Sequence, residues 1–317
     1  MRGDEASPTT LLTGSTGFIG TGIRAALARA ARPTRLLARS QTSSREDVPA
    51  GFVSARADLT DVGSIYACLD GISTVIHAAS YVGNDRELQW RVNVEGTRNL
   101  VEAAARHQVP NLVYVSTFGV YGGDYVAGAA EIDIAPRPRS PLSASRWAAE
   151  LIVLDHGGTV IRPALVHGPG DKWVIPPLIK LILSLDAWID DGAQLVSTIG
   201  RDRLGELIVA LIGSAPGSGV FHAAHRDPIQ IRQLAVPVIE RLGRKVPTAS
   251  LTVARGKDAL KHAGVGASAM QLLTSDSWIN SEKIWATSRL SDSGHHALHA
   301  AGELDGYFAQ LTDIAGP

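Results

Sequence analysis

Cysteine is almost absent: Cys68 is the single one in 317 residues. One thiol excludes an internal disulfide and a cysteine-based metal cluster, and reads as a buried thiol in a reducing compartment. Lysine is scarce as well. Six lysines stand against twenty-four arginines, and the first of them, Lys172, lies past the midpoint of the chain. Chemistry that needs a lysine amine in the first half is therefore excluded. An excess of charge of either sign is also missing, with 30 basic residues against 31 acidic. That balance excludes the electrostatic footprint of a nucleic-acid or anionic-membrane partner. The longest greasy stretch, VIPPLIKLILSL (174–185), is broken by prolines and Lys180 and is too short to span a bilayer. The opening MRGDEASPTT is polar and acidic, unlike a secretory signal. These absences predict a cytoplasmic protein, and the 45% hydrophobic content provides for a sizeable globular core.

What is present has a rhythm. TTLLT (9–13), TRLLA (34–38), FVSAR (52–56), TVIHA (74–78), NLVYVS (111–116) and TVIRPA (159–164) are short apolar runs of strand character. Helical patterns separate them, the clearest to about residue 31, at about 61–70 and over 85–107. Buried strands alternating with helices predict an α/β fold with a doubly wound parallel sheet of the Rossmann type. Prolines and glycines in HGPGDKWVIPP (167–177) mark where the chain leaves that sheet for a smaller C-terminal lobe. The expected division is a dinucleotide-binding domain over 1–166, also receiving segments near 194–224, and a mainly substrate-binding lobe over 167–317. QLVSTIG and GVFHAA read as strands there, and DRLGELIVALI and IQIRQLAVPVIERLG as amphipathic helices.

TGSTGFIG (13–20) follows the first strand and opens a helix. Gly14 permits the turn, Gly17 lets backbone approach a pyrophosphate, and Gly20 allows close helix–strand packing. The helix N-terminus then offers unpaired N–H groups to the anion. LLARS (36–40) ends the second strand in Arg39 and Ser40, where an NAD-specific site carries an acid for the ribose 2′-hydroxyl. Arginine there suits a 2′-phosphate, so NADP(H) is expected over NAD(H). ADLTD (57–61), VIHAAS (75–80) and NVEGTRNLVEAAARHQVPNLVYVST (93–117) continue the series, followed by VYGG.

Together with RPALVHGPGD (162–171), these segments resemble the extended short-chain dehydrogenase/reductases, a likeness that runs through most of the chain. The resemblance implies an NAD(P)-dependent fold, monomeric or homodimeric, acting on a small molecule and needing no metal. It implies that Gly14, Thr16, Gly17, Phe18, Ile19, Arg39, Ser40, Asp58, Leu59, Ala78, Ala79 and Ser80 line the dinucleotide, with Pro163, Ala164 and Val166 near the nicotinamide. The family's active site uses a hydroxyl residue, then a tyrosine and a lysine four residues apart. By position these fall on Thr117, Leu142 and Arg146, with Arg146 also beside the nicotinamide ribose. None of the six tyrosines has a lysine four residues on. Leu142 has no proton to give, and a guanidinium holds its proton at neutral pH.

Losing a positioned acid forfeits roughly 10²–10⁴ in rate. Carbonyl reduction suffers least, because the cofactor supplies the hydride and only an alkoxide awaits a proton. Tyr81, Tyr121 and His167 are protein candidates for that proton; each also has an ordinary packing role. A phenol beside the substrate's ketone is the other source. The nearest likeness of this dyad-less kind is the ketoreductases of angucyclinone tailoring, as in simocyclinone-type biosynthesis, which implies an aromatic polyketide substrate. Trp147, Trp173, Trp188, Trp278 and Trp285 suit a flat aromatic ligand, and each is equally an ordinary core residue. Two other readings stay open: a non-catalytic NADP(H)-binding redox sensor, and a nucleotide-sugar epimerase or dehydratase.

Overall fold

The computed structural model describes residues 9–39, 50–123, 127–214, 217–292 and 294. One sheet is built from seven strands: β1 (Thr9–Thr13), β2 (Thr34–Ala38), β3 (Phe52–Arg56), β4 (Ile72–His77), β5 (Asn111–Val115), β6 (Thr159–Pro163) and β11 (Gly219–Ala223). They stand in the order β11-β6-β5-β4-β1-β2-β3, every neighbouring pair parallel. Because all run the same way, their carboxyl ends share one edge, and the order reverses between β1 and β4. Ligands of such sheets bind at that crevice.

Helices α1 (Phe18–Arg29) and α7 (Arg201–Gly213) cover one face, packing Ile23, Leu27, Leu204 and Leu207 onto Leu12, Leu36 and Ile76. The opposite face carries α2 (Val62–Tyr66), α3 (Arg86–Trp90), α4 (Gly96–Arg106) and α5 (Pro141–Asp155). Small residues set how closely α1 and α7 meet. A Cβ on Gly205 would lie 2.5 Å from the Gly22 carbonyl oxygen, and one on Gly22 would lie 2.7 Å from that of Arg201.

The smaller lobe is built from α6 (Ile175–Leu185), α8 (Ile231–Arg241), α9 (Val253–His262) and α10 (Ala267–Thr274), with α11 (Glu282–Ser288) returning to the main sheet. Short strand pairs link them: β7 (Leu165–His167) with β10 (Thr198–Gly200), β8 (Ala187–Ile189) with β13 (Ala249–Leu251), and β9 (Leu195–Val196) with β12 (Ile229–Gln230). Ile175, Ile179, Trp188, Leu234 and Ile239 share this lobe's core. Among the described residues no helix is long and apolar enough to cross a membrane.

The strands of the main sheet stand where the apolar runs predict them, whereas the short strands β7, β8, β12 and β13 are not marked by those runs, and other expected elements differ as well. QLVSTIG is broken at Ser197, whose N–H donates to the Ser277 carbonyl while its Oγ accepts from Ile279 N. The helix expected over 61–70 ends at Tyr66, because Cys68 and Leu69 close turns instead. The helix expected over 85–107 contains a five-residue π segment, Arg91–Glu95, between α3 and α4. One extra residue per turn cannot be read from hydrophobic spacing, and such bulges are common at functional sites.

Candidate active site

The turn after β1 is shaped for an anion. Gly14 has φ +70, and a Cβ there would lie 2.6 Å from the Ala79 backbone nitrogen, so the loops after β1 and β4 touch through glycine. A Cβ on Gly20 would stand 1.9 Å from the Gly14 carbonyl oxygen. Gly17 differs: a Cβ there meets only that oxygen, at 3.3 Å. Gly17 is the N-cap of α1 and no side chain caps the helix, which leaves the amides of its first turn for a ligand. Phe18 opens the helix, and its ring lies 5.9 Å from that of Trp173. Trp173 is 58% exposed, and Arg201 holds its loop by donating to the Pro169 carbonyl at 2.5 Å.

At the ends of β2 and β3, Arg39 is exposed, and Arg56, also exposed, is the register partner of Ala38. Ser40 lies outside the described residues. The Asp58 carboxylate accepts the Thr60 N–H at 2.9 Å and hydroxyl at 2.8 Å; these bonds, with Arg39 and Arg91, hold it below the usual carboxylate range. Leu59 follows it in the chain. Its side chain is core, and its carbonyl oxygen accepts from Asn99 Nδ2 at 2.9 Å. Ala164 and Val166 are likewise buried, at 8% exposure each.

A fixed proton order runs behind the turn. Thr97 Oγ1 donates to the Asn93 carbonyl, so it accepts from His77 Nε2 at 2.9 Å. His77 Nδ1 must then accept from Thr13 Oγ1 at 2.7 Å, while Thr13 Oγ1 accepts the Ala79 N–H at 3.2 Å. Every partner is satisfied only if the imidazole is neutral. Burial, with Arg146 adding repulsion, pushes the His77 pKa down to about 3.

Asn93, inside the π segment, joins three walls. Its Oδ1 accepts from Tyr81 N at 2.7 Å and Ser80 Oγ at 3.2 Å; its Nδ2 donates to Tyr81 O at 3.1 Å and Ser145 Oγ at 3.0 Å. Asn93 and His77 both stand in motifs visible in the sequence, NVEGT and VIHAAS, but neither spacing marks them as hubs.

Ser140 caps α5 and Pro141 occupies its first turn, a strong start signal that fixes the register of the helix. Leu142 is half-buried there, and Ser145 Oγ donates to its carbonyl oxygen at 2.9 Å. Arg146 is buried, donates from Nη2 to the Val115 carbonyl at 2.7 Å, and lies over the Tyr114 ring. Its Nε, the Ser116 Oγ and the Tyr114 hydroxyl are buried without a hydrogen-bond partner. Thr117, half-buried, caps the short turn Phe118–Tyr121, its Oγ1 accepting from Gly119 N at 3.1 Å. That leaves the Thr117 hydroxyl proton for a ligand.

Tyr121 belongs to the scaffold. Its hydroxyl accepts from Arg162 Nη1 at 2.7 Å and donates to His222 Nε2 at 2.5 Å, while His222 Nδ1 donates to the Asn280 carbonyl at 3.0 Å. Arg162 also forks onto Glu150, with 2.6 Å from Nη2 to Oε2. His167 is fully buried at the end of β7. Trp188 and Trp285 are core, their indole N–H groups donating to Pro247 and Ala224 carbonyls.

The sequence profile of the family described as "NAD dependent epimerase/dehydratase family" matches residues 10–195. The chain belongs to that family. Among similar curated proteins is short-chain dehydrogenase/reductase family 42E member 1 of Danio rerio, 28% identical over 274 residues, covering 77% of this chain and 70% of its own. Another is the 4-hydroxy-2-methyl-3-oxo-4-farnesyl-3,4-dihydroquinoline-1-oxide ketoreductase of Stigmatella aurantiaca, 25% identical over 253 residues, with 76% and 75% coverage. Among solved structures, the Bordetella bronchiseptica enzyme WbmH in complex with NAD+ has the same fold, with a TM-score of 0.74 at 17% identity, covering 96% of this chain and 99% of its own.

Proposed function

We propose that this member of the epimerase/dehydratase family is an NADPH-dependent ketoreductase acting on a ring ketone of an aromatic polyketide-type compound. The tailoring of an angucyclinone-like antibiotic is the setting that fits it best. One observation supports the reading: α1 starts uncapped at Gly17, while α5 carries Leu142 and Arg146, which by resemblance fall at the positions of the family's proton-handling pair. The open face of Gly17 and the uncapped start of α1 fit a pyrophosphate, and the exposed Arg39 after β2 suits a 2′-phosphate. NADPH, when bound, supplies a hydride.

The chain's own groups handle the oxygen that receives negative charge. Thr117 donates its free hydroxyl proton to the carbonyl oxygen as a hydrogen bond. Arg146 holds a fixed positive charge beneath the end of β5, favouring an oxyanion at that edge. Neither gives up a proton. A hydroxyl on the substrate next to the ketone does so: its O–H bond breaks as the carbinol O–H forms, and water restores the proton. The Stigmatella relative's name describes a 3-oxo group on a fused ring beside a carbon that bears both a hydroxyl and a farnesyl group, which supports a ring ketone as substrate but supplies a tertiary alcohol rather than a phenol.

The test is NADPH oxidation by the purified protein with paired aromatic ketones, one carrying an adjacent phenol and one lacking it. Turnover confined to the phenolic ketone supports the reading. Equal turnover of both points to a protein acid, and tight NADPH binding without turnover of either points to a sensor.

A further inference from the structure

The loop that follows β4, Ser80–Asp85, is pinned down along its length. Asn93 grips both the N–H and the carbonyl of Tyr81 and accepts the Ser80 hydroxyl. Four residues before it on the same helical run, Gln89 is 5% exposed and donates from Nε2 to the Gly83 carbonyl at 2.7 Å. Asp85 then caps α3 through the Glu87 and Leu88 amides. Supporting hydrogen bonds of this kind hold a side chain carried by a loop in one productive geometry.

That side chain is Tyr81. Its ring folds over Gly83, where a Cβ would fall 2.4 Å from the phenol oxygen, so the glycine makes room for the hydroxyl. The ring is half-buried, and its neighbour Val82 is 50% exposed. The other tyrosines with described surroundings are committed or remote: Tyr121 to Arg162 and His222, Tyr114 beneath the sheet edge, Tyr66 against His107 on α2. Tyr81 is also tied to the position of the missing acid. Asn93 Nδ2 bonds its carbonyl and Ser145 Oγ together, and Ser145 Oγ bonds the Leu142 carbonyl. These bonds join the backbones of Tyr81 and Leu142 through Asn93 and Ser145, so the loop after β4 and the first turn of α5 are held in one relative position.

We infer that Tyr81 is a substrate-contacting residue, which lays its ring along a planar ligand and donates its hydroxyl to the oxygen of that ligand's ring hydroxyl. Asn93 is the positioning residue that sets it. The inference rests on the ketoreductase reading for the chemistry of the ligand, but it is tested by binding, without turnover.

The NADP+-loaded protein is titrated with 1-hydroxyanthraquinone and with anthraquinone, following quenching of intrinsic fluorescence. Wild type binds the hydroxylated ring more tightly. Tyr81→Phe, which keeps the ring and so guards against misfolding, weakens that binding by about 5–10-fold and erases the preference. Tyr81→Ala weakens both by more than about 10-fold, with NADP+ affinity and thermal midpoint retained. Failure of wild type to bind the hydroxylated probe, or Tyr81→Phe binding it within about twofold of wild type, overturns the inference. The two readings fail separately. Probe binding through Tyr81 without NADPH oxidation refutes the reductase alone, and ketone turnover with binding indifferent to Tyr81 refutes the contact alone.

Discussion

Arg146 Nη2 donates to the Val115 carbonyl oxygen at 2.7 Å, which locks a cation of α5 to the end of β5. A lysine has no planar guanidinium to lie over the Tyr114 ring, so the two residues are not interchangeable here. Restoring the family's pair with Leu142→Tyr and Arg146→Lys is expected to give no more than about a threefold gain with a phenolic ketone, because the acid is not what limits that reaction. Steady-state rates of the double variant beside wild type decide it. Arg146→Ala lowers both the thermal midpoint and NADPH affinity.

Arg39 is exposed just after the end of β2. Arg39→Asp replaces a phosphate partner with a ribose partner and repels a 2′-phosphate. The ratio of NADPH to NADH dissociation constants is expected to shift toward NADH by more than about 10-fold, as read by cofactor fluorescence.

Glu150 and Arg162 form a buried pair with side chains 1% and 6% exposed. Glu150→Ala strands the guanidinium and costs about 3–5 kcal/mol, whereas Glu150→Gln, which keeps an acceptor, costs less. Denaturant unfolding of both variants measures the difference.

The His77 imidazole is neutral in the fold and has a pKa of about 3 against 6.5 for the free side chain. A depressed folded-state value means the stabilisation is complete above about pH 6.5 and drains away as pH falls toward 3. His222, lowered chiefly by burial, acts in the same direction. The thermal midpoint of wild type is therefore expected to fall more steeply below pH 6.5 than that of His77→Gln, whose amide carries no titratable proton.

Much of the fold is legible in the sequence because buried parallel strands read as apolar runs and TGSTGFIG sits between a strand and a helix. The cradle is legible for the same reason. The hubs are not. Asn93 matters through a π segment that breaks the helical period, and His77 through partners 64 and 20 residues away. The Glu150–Arg162–Tyr121–His222 network spans α5, β6, the turn after β5 and β11, so no local spacing announces it. The Leu59 side chain packs into the core, a direction its motif does not announce, because ADLTD marks a strand end without saying which way each side chain points.

The most direct test of hydride transfer without a protein acid is a single-turnover reaction with NADPH deuterated at its transferring position and the phenolic ketone. The account predicts an alcohol carrying one deuterium on the carbinol carbon, formed by wild type and by Tyr121→Phe alike. An alcohol without deuterium, or a reaction abolished in Tyr121→Phe while the variant still binds NADPH, would contradict it.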